Sequence, residues 1–399
     1  MASRSSTSSS ESLFSVLDTG LRPAGWSWPA GVVIGHRLRL LRARMVRLAG
    51  RLPLGALAAG LVVGLIHVLA GLAYPEPIAR DSLRDKVLTL TAGGRPSLLV
   101  AGDSRAASQV IPEVLAGVLG VAGSEVVNIG TPAGEPAVAL AAYREFAPRF
   151  SHRPIMLLSV GIWSVNDCLH EGVFLGNETL WSLGFIDRWR LTSGAHAIRA
   201  VFLPERACAA GLIRRCWPDE PPDPVTRLIL SGVMPGGMVF GRAPASMCDR
   251  GYVRVTEDVT ADPEGFARTT RGVANLWYIG ARLDGIRWRL FEANLDRLLA
   301  DGVQVVLLDT PQHPAVLAAL EGTSGAEAAD RFHRQLVEVG ERKGVPLLSY
   351  DGQVFEGRCQ DRLFGDASHV NAAGATILSE RIGRDLRALI DAGRLRLRP

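Results

Sequence analysis

The chain has 399 residues, of which 47% are hydrophobic, and a formal charge of +4 at pH 7. It could hold two average domains or one large α/β domain, and its apolar content is ample for a sizeable core. Only Lys86 and Lys343 are lysines, so 42 of the 44 basic residues are arginine. Because this bias runs through the whole chain, it indicates genome composition rather than the clustered basic and aromatic surface expected of a nucleic-acid-binding protein.

One dense basic run precedes a long uncharged segment near the N-terminus. Residues 37–51 include a series of arginines and no acid, and residues 52–74 contain no Asp, Glu, Lys or Arg. Such a segment can cross a bilayer core of ~30 Å at ~1.5 Å per residue, and the positive-inside rule places its basic side in the cytoplasm. A buried core helix and a cleavable signal peptide are the alternatives. The pattern favours an uncleaved signal anchor.

This interpretation divides the chain into four parts. Residues 1–51 form a cytoplasmic, disordered and basic tail, and residues 52–74 form the single transmembrane anchor in an inner membrane. Pro75, Pro77 and a Gly-Gly-Arg-Pro turn make residues 75–96 a linker. Residues 97–399 are then the main domain, in the periplasm, where the envelope and secreted glycans lie.

From residue 97 onward, short apolar runs alternate with helical patterns. Runs of this kind are typical of strands buried on both faces of a parallel sheet. The alternation predicts an α/β fold with a three-layer, doubly wound parallel sheet and a site at the carboxyl ends of its strands. The predicted strands are Leu98–Ala101, Glu125–Ile129, Ile155–Val160, Val303–Leu308 and Pro346–Ser349, and the predicted helices are Ile111–Leu119, Ala137–Phe146, Gly285–Ala300, Ala326–Lys343 and Ala372–Ala392.

The alternation of predicted strands and helices is interrupted between about residues 170 and 275. This stretch contains several tryptophans, prolines and a glycine-rich run. We interpret it as a long insertion after the third strand, which would lie above the site as a lid or a substrate-binding surface.

Two short motifs carry the chemistry. Ser104 follows the first predicted strand in the setting Gly-Asp-Ser-Arg, where a tight turn would lift its hydroxyl clear of the sheet. Near the end of the chain, Asp366 stands three residues before His369. A nucleophile, a base and an acid that orients the base are the parts of a Ser-His-Asp hydrolytic triad. An ordinary turn at Ser104 and a helix cap beside a surface histidine are the alternatives.

These motifs resemble those of the SGNH (GDSL-type) hydrolase superfamily, in the branch where Gly-Asp-Ser-Arg replaces Gly-Asp-Ser-Leu. The resemblance covers about residues 97–170 and 303–390. It implies that Ser104 is the nucleophile and that Asp366 and His369 complete the triad. It also implies an oxyanion hole that includes the Ser104 N–H, and a reaction that needs no metal and no organic cofactor.

Two further oxyanion donors follow from the resemblance. The family's second block contributes a glycine N–H, which maps onto Gly134, with Gly130 as the alternative. The third block is Gly-x-Asn-Asp, but here four residues separate Gly161 from Asn166. If Asn166 sets the register, its amide is the third donor; if Gly161 sets it, Trp163 takes the place of the asparagine and this donor is lost. We favour Asn166.

Three residues are candidates for substrate binding. Arg105 could bind a carboxylate of a substrate or partner, or form a structural salt bridge with a nearby acid. Trp163 could stack on a sugar ring or be buried in the core. His313 follows a predicted strand and could line the substrate groove or lie in a surface loop.

The resemblance and the predicted location together indicate a function. We expect an O-acetylesterase or O-acetyltransferase that acts on a carbohydrate acyl ester or a sugar acceptor. Membrane-anchored members of the superfamily often work beside a multi-pass membrane acyltransferase, which is a possible partner here. A catalytically weak scaffold that binds glycan or a partner protein is the first alternative, and a lipid esterase is the second.

Overall fold

The computed structural model describes residues 81–168, 250–350 and 352–397, together with five isolated positions near the N-terminus. The predicted cytoplasmic tail and most of the predicted insertion lie outside these residues. Within them, the helices and strands follow the predicted alternation closely.

Five parallel strands form one sheet in the order β2-β1-β3-β4-β5. All four pairings are parallel, and Leu98 of β1 lies opposite Val126 of β2 and Ile155 of β3. The predicted parallel sheet is therefore confirmed, with strand ends that differ by at most one residue. The strands are β1 (Leu98–Ala101), β2 (Val126–Asn128), β3 (Ile155–Ser159), β4 (Gln304–Asp309) and β5 (Leu347–Ser349).

Helices cover both faces of this sheet, because successive side chains of a strand point to opposite faces and both sets are apolar here. The helices are α1 (Asp81–Leu90), α2 (Ser104–Gln109), α3 (Pro112–Leu119), α4 (Pro136–Phe146), α5 (Ile162–Val165), α6 (Pro263–Val273), α7 (Ile286–Ala300), α8 (Pro314–Leu320), α9 (Ser324–Lys343) and α10 (Ala372–Asp391), and a π-helix spans Ala274–Tyr278.

Two hydrophobic clusters sandwich the sheet. Leu99, Met156 and Leu307 belong to the cluster that includes residues of α1, α4, α7 and α9. Leu98 and Leu157 belong to the other cluster, which includes residues of α3 and α10. The described domain thus has three layers, as the sequence predicts.

The strand order places a crevice between β1 and β3. The chain runs from β1 to β2 on one side and returns to β3 on the other side of β1, so the loops after β1 and β3 leave the sheet in opposite directions. Open parallel sheets bind ligands at such a switch point, outside the carboxyl ends of the strands. Ser104 follows β1 and Trp163 follows β3, so both lie at this position.

The segment 250–259 runs past the carboxyl ends of the strands. Its Val253 N–H donates to the carbonyl of Ala107 in α2 at 2.8 Å, and its Val255 carbonyl accepts from the N–H of Ala372 at 2.8 Å. Residues 250–259 and helix α6 fall inside the interval predicted as an insertion. The end of that interval therefore packs on the domain and links α2 to the start of α10.

The predicted membrane anchor falls almost wholly outside the described residues. Gly55, Ala58, Leu61, Val62 and Leu65 have helical backbone and are exposed. Among the described residues, no helix is long and apolar enough to cross a bilayer.

A buried ion pair fixes the loop after β3 to the helix layer. Arg287 donates to Glu135 Oε1 at 2.8 Å, and both side chains are almost fully buried. The same guanidinium donates to the carbonyls of Trp163 and Asn166 at 3.1 and 3.2 Å. Because the pair is desolvated, removal of one partner leaves an uncompensated buried charge.

We therefore expect Arg287→Met to lower the free energy of unfolding by about 3–5 kcal/mol. The matched control is Arg144→Met, which breaks a half-exposed ion pair with Asp301 on the surface and should cost less than about 1 kcal/mol. Urea unfolding of both variants measures the difference, and equal losses would contradict the role assigned to the buried pair.

Candidate active site

The turn after β1 presents Ser104 at the start of a helix. Asp103 is the N-cap of α2, and its Oδ1 accepts from the N–H groups of Arg105 and Ala106 at 3.0 and 3.3 Å. Gly102 precedes it with a φ of 135° and lies so close to Ser159 that a Cβ would meet that side chain at 2.8 Å. Because Ser104 is the first residue of the helix, its N–H belongs to those that a helix leaves without an internal partner.

A second tight turn presents the acid and the histidine. The N–H of Gly365 donates to the carbonyl of His369 at 2.8 Å, which closes the turn. Asp366 Oδ1 accepts from the N–H groups of Ser368 and His369 at 2.7 and 2.9 Å. Asn371 then caps α10 through the N–H groups of its first turn.

The two turns meet at the carboxyl edge of the sheet. Ser104 Oγ lies 2.8 Å from His369 Nε2, although 265 residues separate them in the chain. On the other side of the ring, His369 Nδ1 lies 2.8 Å from Asp366 Oδ2. These contacts assign the tautomer, since Nδ1–H donates to the carboxylate and Nε2 accepts from the hydroxyl. The three predicted triad residues therefore come together with the spacing expected of a nucleophile, a base and its orienting acid.

The pKa shifts of Asp366 and His369 agree with an ionised acid that supports a charged imidazole. Burial favours the neutral carboxyl, but the charge and ring N–H of His369 and two backbone N–H groups outweigh it and lower the pKa of Asp366 to about 2. Burial likewise favours neutral imidazole, but Asp366 and, more weakly, Asp103 raise the pKa of His369 above its ordinary value. Asp366 therefore stays ionised at neutral pH and stabilises an imidazolium when one forms.

Gly134 lies close to the nucleophile turn but uses its N–H locally. A Cβ at this position would come within 2.2 Å of the carbonyl oxygen of Gly102, so only glycine fits there. Its N–H donates to the carbonyl of Thr131 at 2.9 Å. The alternative, Gly130, donates its N–H to Asn128 Oδ1 at 2.9 Å. An oxyanion role for either glycine stays a prediction and would require that bond to open.

The side chain of Asn166 forms hydrogen bonds with backbone groups of other residues. Its Nδ2 donates to the carbonyl of Trp277 at 3.2 Å, and its Oδ1 accepts from the N–H groups of Cys168 and Arg282 at 2.9 Å. The residue is only 1% exposed. Its predicted oxyanion role is untested, and it would require the amide to release the carbonyl of Trp277.

Arg105 and Trp163 both bind the carboxylate that caps α2. Arg105 Nε donates to Asp103 Oδ2 at 3.1 Å, and Trp163 Nε1 donates to the same oxygen at 2.6 Å. Arg105 is 1% exposed and Trp163 is 3% exposed. Of the alternatives weighed for each, the structure shows the structural salt bridge for Arg105 and the buried position for Trp163.

His313 lies inside the fold and caps a helix. Its Nδ1 accepts from the N–H of Ala315 at 3.1 Å, and its Nε2 lies 3.0 Å from Asp361 Oδ1. The ring packs edge-on against Phe266 and Phe364, and burial lowers the pKa of His313. With an exposure of 6%, the residue forms neither a groove wall nor a surface loop as placed here. Its backbone N–H donates to the carbonyl of Ala367 at 3.1 Å and so supports the histidine turn.

Sequence reasoning missed two residues that hold the site together. Gln109, at the end of α2, donates to the carbonyl of Ser368 at 2.6 Å and joins the nucleophile helix to the histidine turn. Asp167 accepts from the N–H groups of Ile286 and Arg287 at 2.6 and 2.9 Å and so caps α7. The Asn-Asp pair was noticed as a motif, but its capping role could be recognised only with α7 in place; Gln109 carries no sequence signal.

Among the described residues, no group of three or more His, Cys, Asp or Glu side chains is placed to hold a metal ion. The chain matches no family of known proteins. No curated protein is significantly similar to it in sequence.

The pairing of Asp366 with His369 predicts a shift that can be measured. Asp366→Asn removes the charge that raises the pKa of His369, so the pKa of that imidazole should fall below its value in the unmodified protein. An NMR titration of the ring protons measures the shift, with His333 on α9, which does not contact Asp366 in the structure, as an internal control. An unchanged pKa for His369 would show that the carboxylate does not support the imidazolium.

Proposed function

We propose that the chain is an SGNH-type serine esterase or O-acyltransferase with Ser104 as its nucleophile. The observation that carries the proposal is the continuous contact from Asp366 through His369 to the Ser104 hydroxyl, with both distances at 2.8 Å. The strand order and the position of Ser104 at the β1/β3 crevice support it, because this is where an open parallel sheet places its ligands.

The reaction proceeds in two steps. Ser104 Oγ attacks the ester carbonyl carbon while His369 Nε2 takes the hydroxyl proton, and a tetrahedral oxyanion forms. His369 then gives this proton to the leaving alkoxide oxygen, which departs as an alcohol and leaves an acyl-serine. In the second step, His369 deprotonates water or a sugar hydroxyl, which attacks the acyl-serine. Collapse of that intermediate returns the proton to Ser104 and releases an acid or a new ester.

The Ser104 N–H is the oxyanion donor with the strongest support. It lies at the open end of α2, where the helix leaves its first N–H groups unpaired. The N–H of Gly134 and the amide of Asn166 are the further candidates, and both are bonded within the protein. Loss of one oxyanion donor lowers the rate by ~10²–10³. An enzyme that uses the Ser104 N–H alone would therefore be slow unless substrate binding also turned the Gly134 N–H or the Asn166 amide toward the oxyanion.

The substrate follows from the proposed location. A domain tethered outside an inner membrane meets the acyl esters of envelope and secreted carbohydrate, so we propose an O-acetylesterase or O-acetyltransferase that acts there, with a multi-pass acyltransferase as a possible acyl supplier. The helical, exposed and apolar residues Leu61, Val62 and Leu65 support a lipid-facing segment. The alternative substrate class is a lipid ester, which would make the protein a lipid esterase.

A weakly catalytic scaffold is the second candidate function. The bonded state of Gly134 and Asn166 favours it, because neither group faces an oxyanion as placed here. A scaffold of this kind would bind glycan or a partner protein through the same edge of the sheet.

Covalent labelling distinguishes an enzyme from a scaffold. A fluorophosphonate probe should label the full-length protein in detergent, and Ser104→Ala should abolish the label and reduce hydrolysis of an aryl acetate by at least ~10³-fold. The control is Ser349→Ala, since Ser349 also lies near a histidine, with Oγ 3.5 Å from His333 Nδ1. Folded protein that takes no label would reject the esterase and support the scaffold.

The membrane topology has its own test. Alkaline phosphatase fused after residue 399 should be active in a bacterial host, because this enzyme folds only in an oxidising compartment. Deletion of residues 52–74 should abolish the activity. An inactive phosphatase together with a fluorescent cytoplasmic reporter at the same position would place the domain in the cytosol and remove envelope carbohydrate as the substrate.

A further inference from the structure

Arg105 is a charged residue at a buried position, where desolvation of its guanidinium costs free energy. It is 1% exposed and lies directly after the nucleophile, where the resembling family more often has leucine. A leucine would fill this space without desolvating a charge, and buried ion pairs often add no stability over apolar residues of similar volume. Packing alone therefore gives no reason for a guanidinium here.

Within the described part of the chain, the hydrogen bonds of Arg105 leave one of its nitrogens without an acceptor, although the charges of Asp103 and Asp309 both act on the guanidinium. Its Nε donates to Asp103 Oδ2 at 3.1 Å, and its guanidinium lies 5.8 Å from the ring centre of Trp277. Its Nη2 is buried and has no hydrogen-bond acceptor among the residues that the structure describes. This nitrogen lies against Gly161, where a Cβ would come within 1.8 Å of it.

The carboxylate of Asp103, which pairs with Arg105, also accepts several other hydrogen bonds. Asp103 also accepts from the indole N–H of Trp163 at 2.6 Å and from two N–H groups at the start of α2. These donors offset part of the negative charge of Asp103. The ion pair therefore presents a positive side toward Gly161 and the loop after β3, in surroundings where charges interact more strongly than in water.

That loop is where the resembling family supplies its third oxyanion donor. Here the indole N–H of Trp163 binds Asp103 and the amide of Asn166 binds the carbonyl of Trp277. A fixed positive charge behind the nucleophile can stabilise a developing oxyanion without touching it, because a preorganised charge needs no reorganisation during the reaction.

Building on the esterase function proposed above, we propose that Arg105 is a positioning residue whose buried charge stabilises the negative charge that forms beside Ser104. The guanidinium compensates in part for a direct donor while the amide of Asn166 and the indole N–H of Trp163 are bonded elsewhere. It holds the nucleophile turn through Asp103 and contributes its positive potential to the reaction without contacting the substrate.

The same potential acts on the base, which provides a readout that a purely structural salt bridge would not move. The charges that act on His369 are Asp366 on its own turn, and Asp103 and Arg105 on the nucleophile turn. The two carboxylates raise the pKa of His369 and Arg105 lowers it. Loss of the Arg105 charge should therefore raise that pKa and move the acid limb of kcat/KM to higher pH.

The test compares two variants that differ in charge. Arg105→Lys keeps the cation, and Arg105→Gln keeps an N–H donor for Asp103 but removes the charge. With an aryl acetate and the full-length protein, Arg105→Gln should lose about tenfold in kcat, less than the ~10²–10³ of a direct donor, with KM little changed and the acid limb at higher pH. Arg105→Lys should keep most of kcat and the original limb.

Asp103→Asn removes a negative charge near His369, whereas Arg105→Gln removes a positive one. This variant also provides a test if Arg105→Gln does not fold. Asparagine is as good an N-cap as aspartate, and loss of this carboxylate should move the acid limb to lower pH. Thermal unfolding and the fluorophosphonate label identify folded, labelled protein. Coincident acid limbs in folded, labelled variants, or equal kcat for Arg105→Lys and Arg105→Gln, would overturn the inference. Absence of label from the unmodified protein would instead overturn the esterase function.

Discussion

The contact between Ser104 and His369 depends on a constraint of the sheet, namely that parallel strands bring all their carboxyl ends to one edge. β1 delivers the serine to this edge, and the turn before α10 delivers the histidine. Two further links hold the halves together: the amide of Gln109 on the carbonyl of Ser368, and the segment 250–259, which bonds to both α2 and the start of α10. The site is thus fixed by bonds between backbone groups and by side chains that bind backbone groups.

Most of the fold could be predicted because its signals are local. Strand Leu98–Ala101 is apolar throughout, and Ile155–Ser159 is apolar except for its last residue, a pattern that is typical of strands buried on both faces. The partners of the triad were also predictable, since Asp366 and His369 are close in the chain and Ser104 directly follows a strand. Their distance from one another could not be read from the sequence, yet the alternation of strands and helices already placed both at the same edge.

The residues whose roles the sequence left open have contacts far away in the chain. Asn166 binds residues more than 100 positions later, and Arg287 binds Glu135 from a helix on the same face of the sheet. An asparagine, a tryptophan and a histidine near a site are equally suited to bind substrate or to satisfy buried backbone. Burial decides between these uses, because a buried N–H or carbonyl without a partner is costly. Sequence alone does not show which groups become buried.

The loop after β3 shows how this demand for hydrogen bonds can occupy residues that a sequence motif marks as candidates for a site. Its Asn166 and Asp167 bind the backbone of residues 277–287, and Trp163 binds the cap of the nucleophile helix. Each bond stabilises the loop, and each also occupies a group that could have faced the reaction. A site built in this way gains rigidity at the expense of direct oxyanion donors. Besides the N–H of Ser104, a charge that acts at a distance is a further means of stabilising an anion, and this is the role proposed for the buried guanidinium of Arg105.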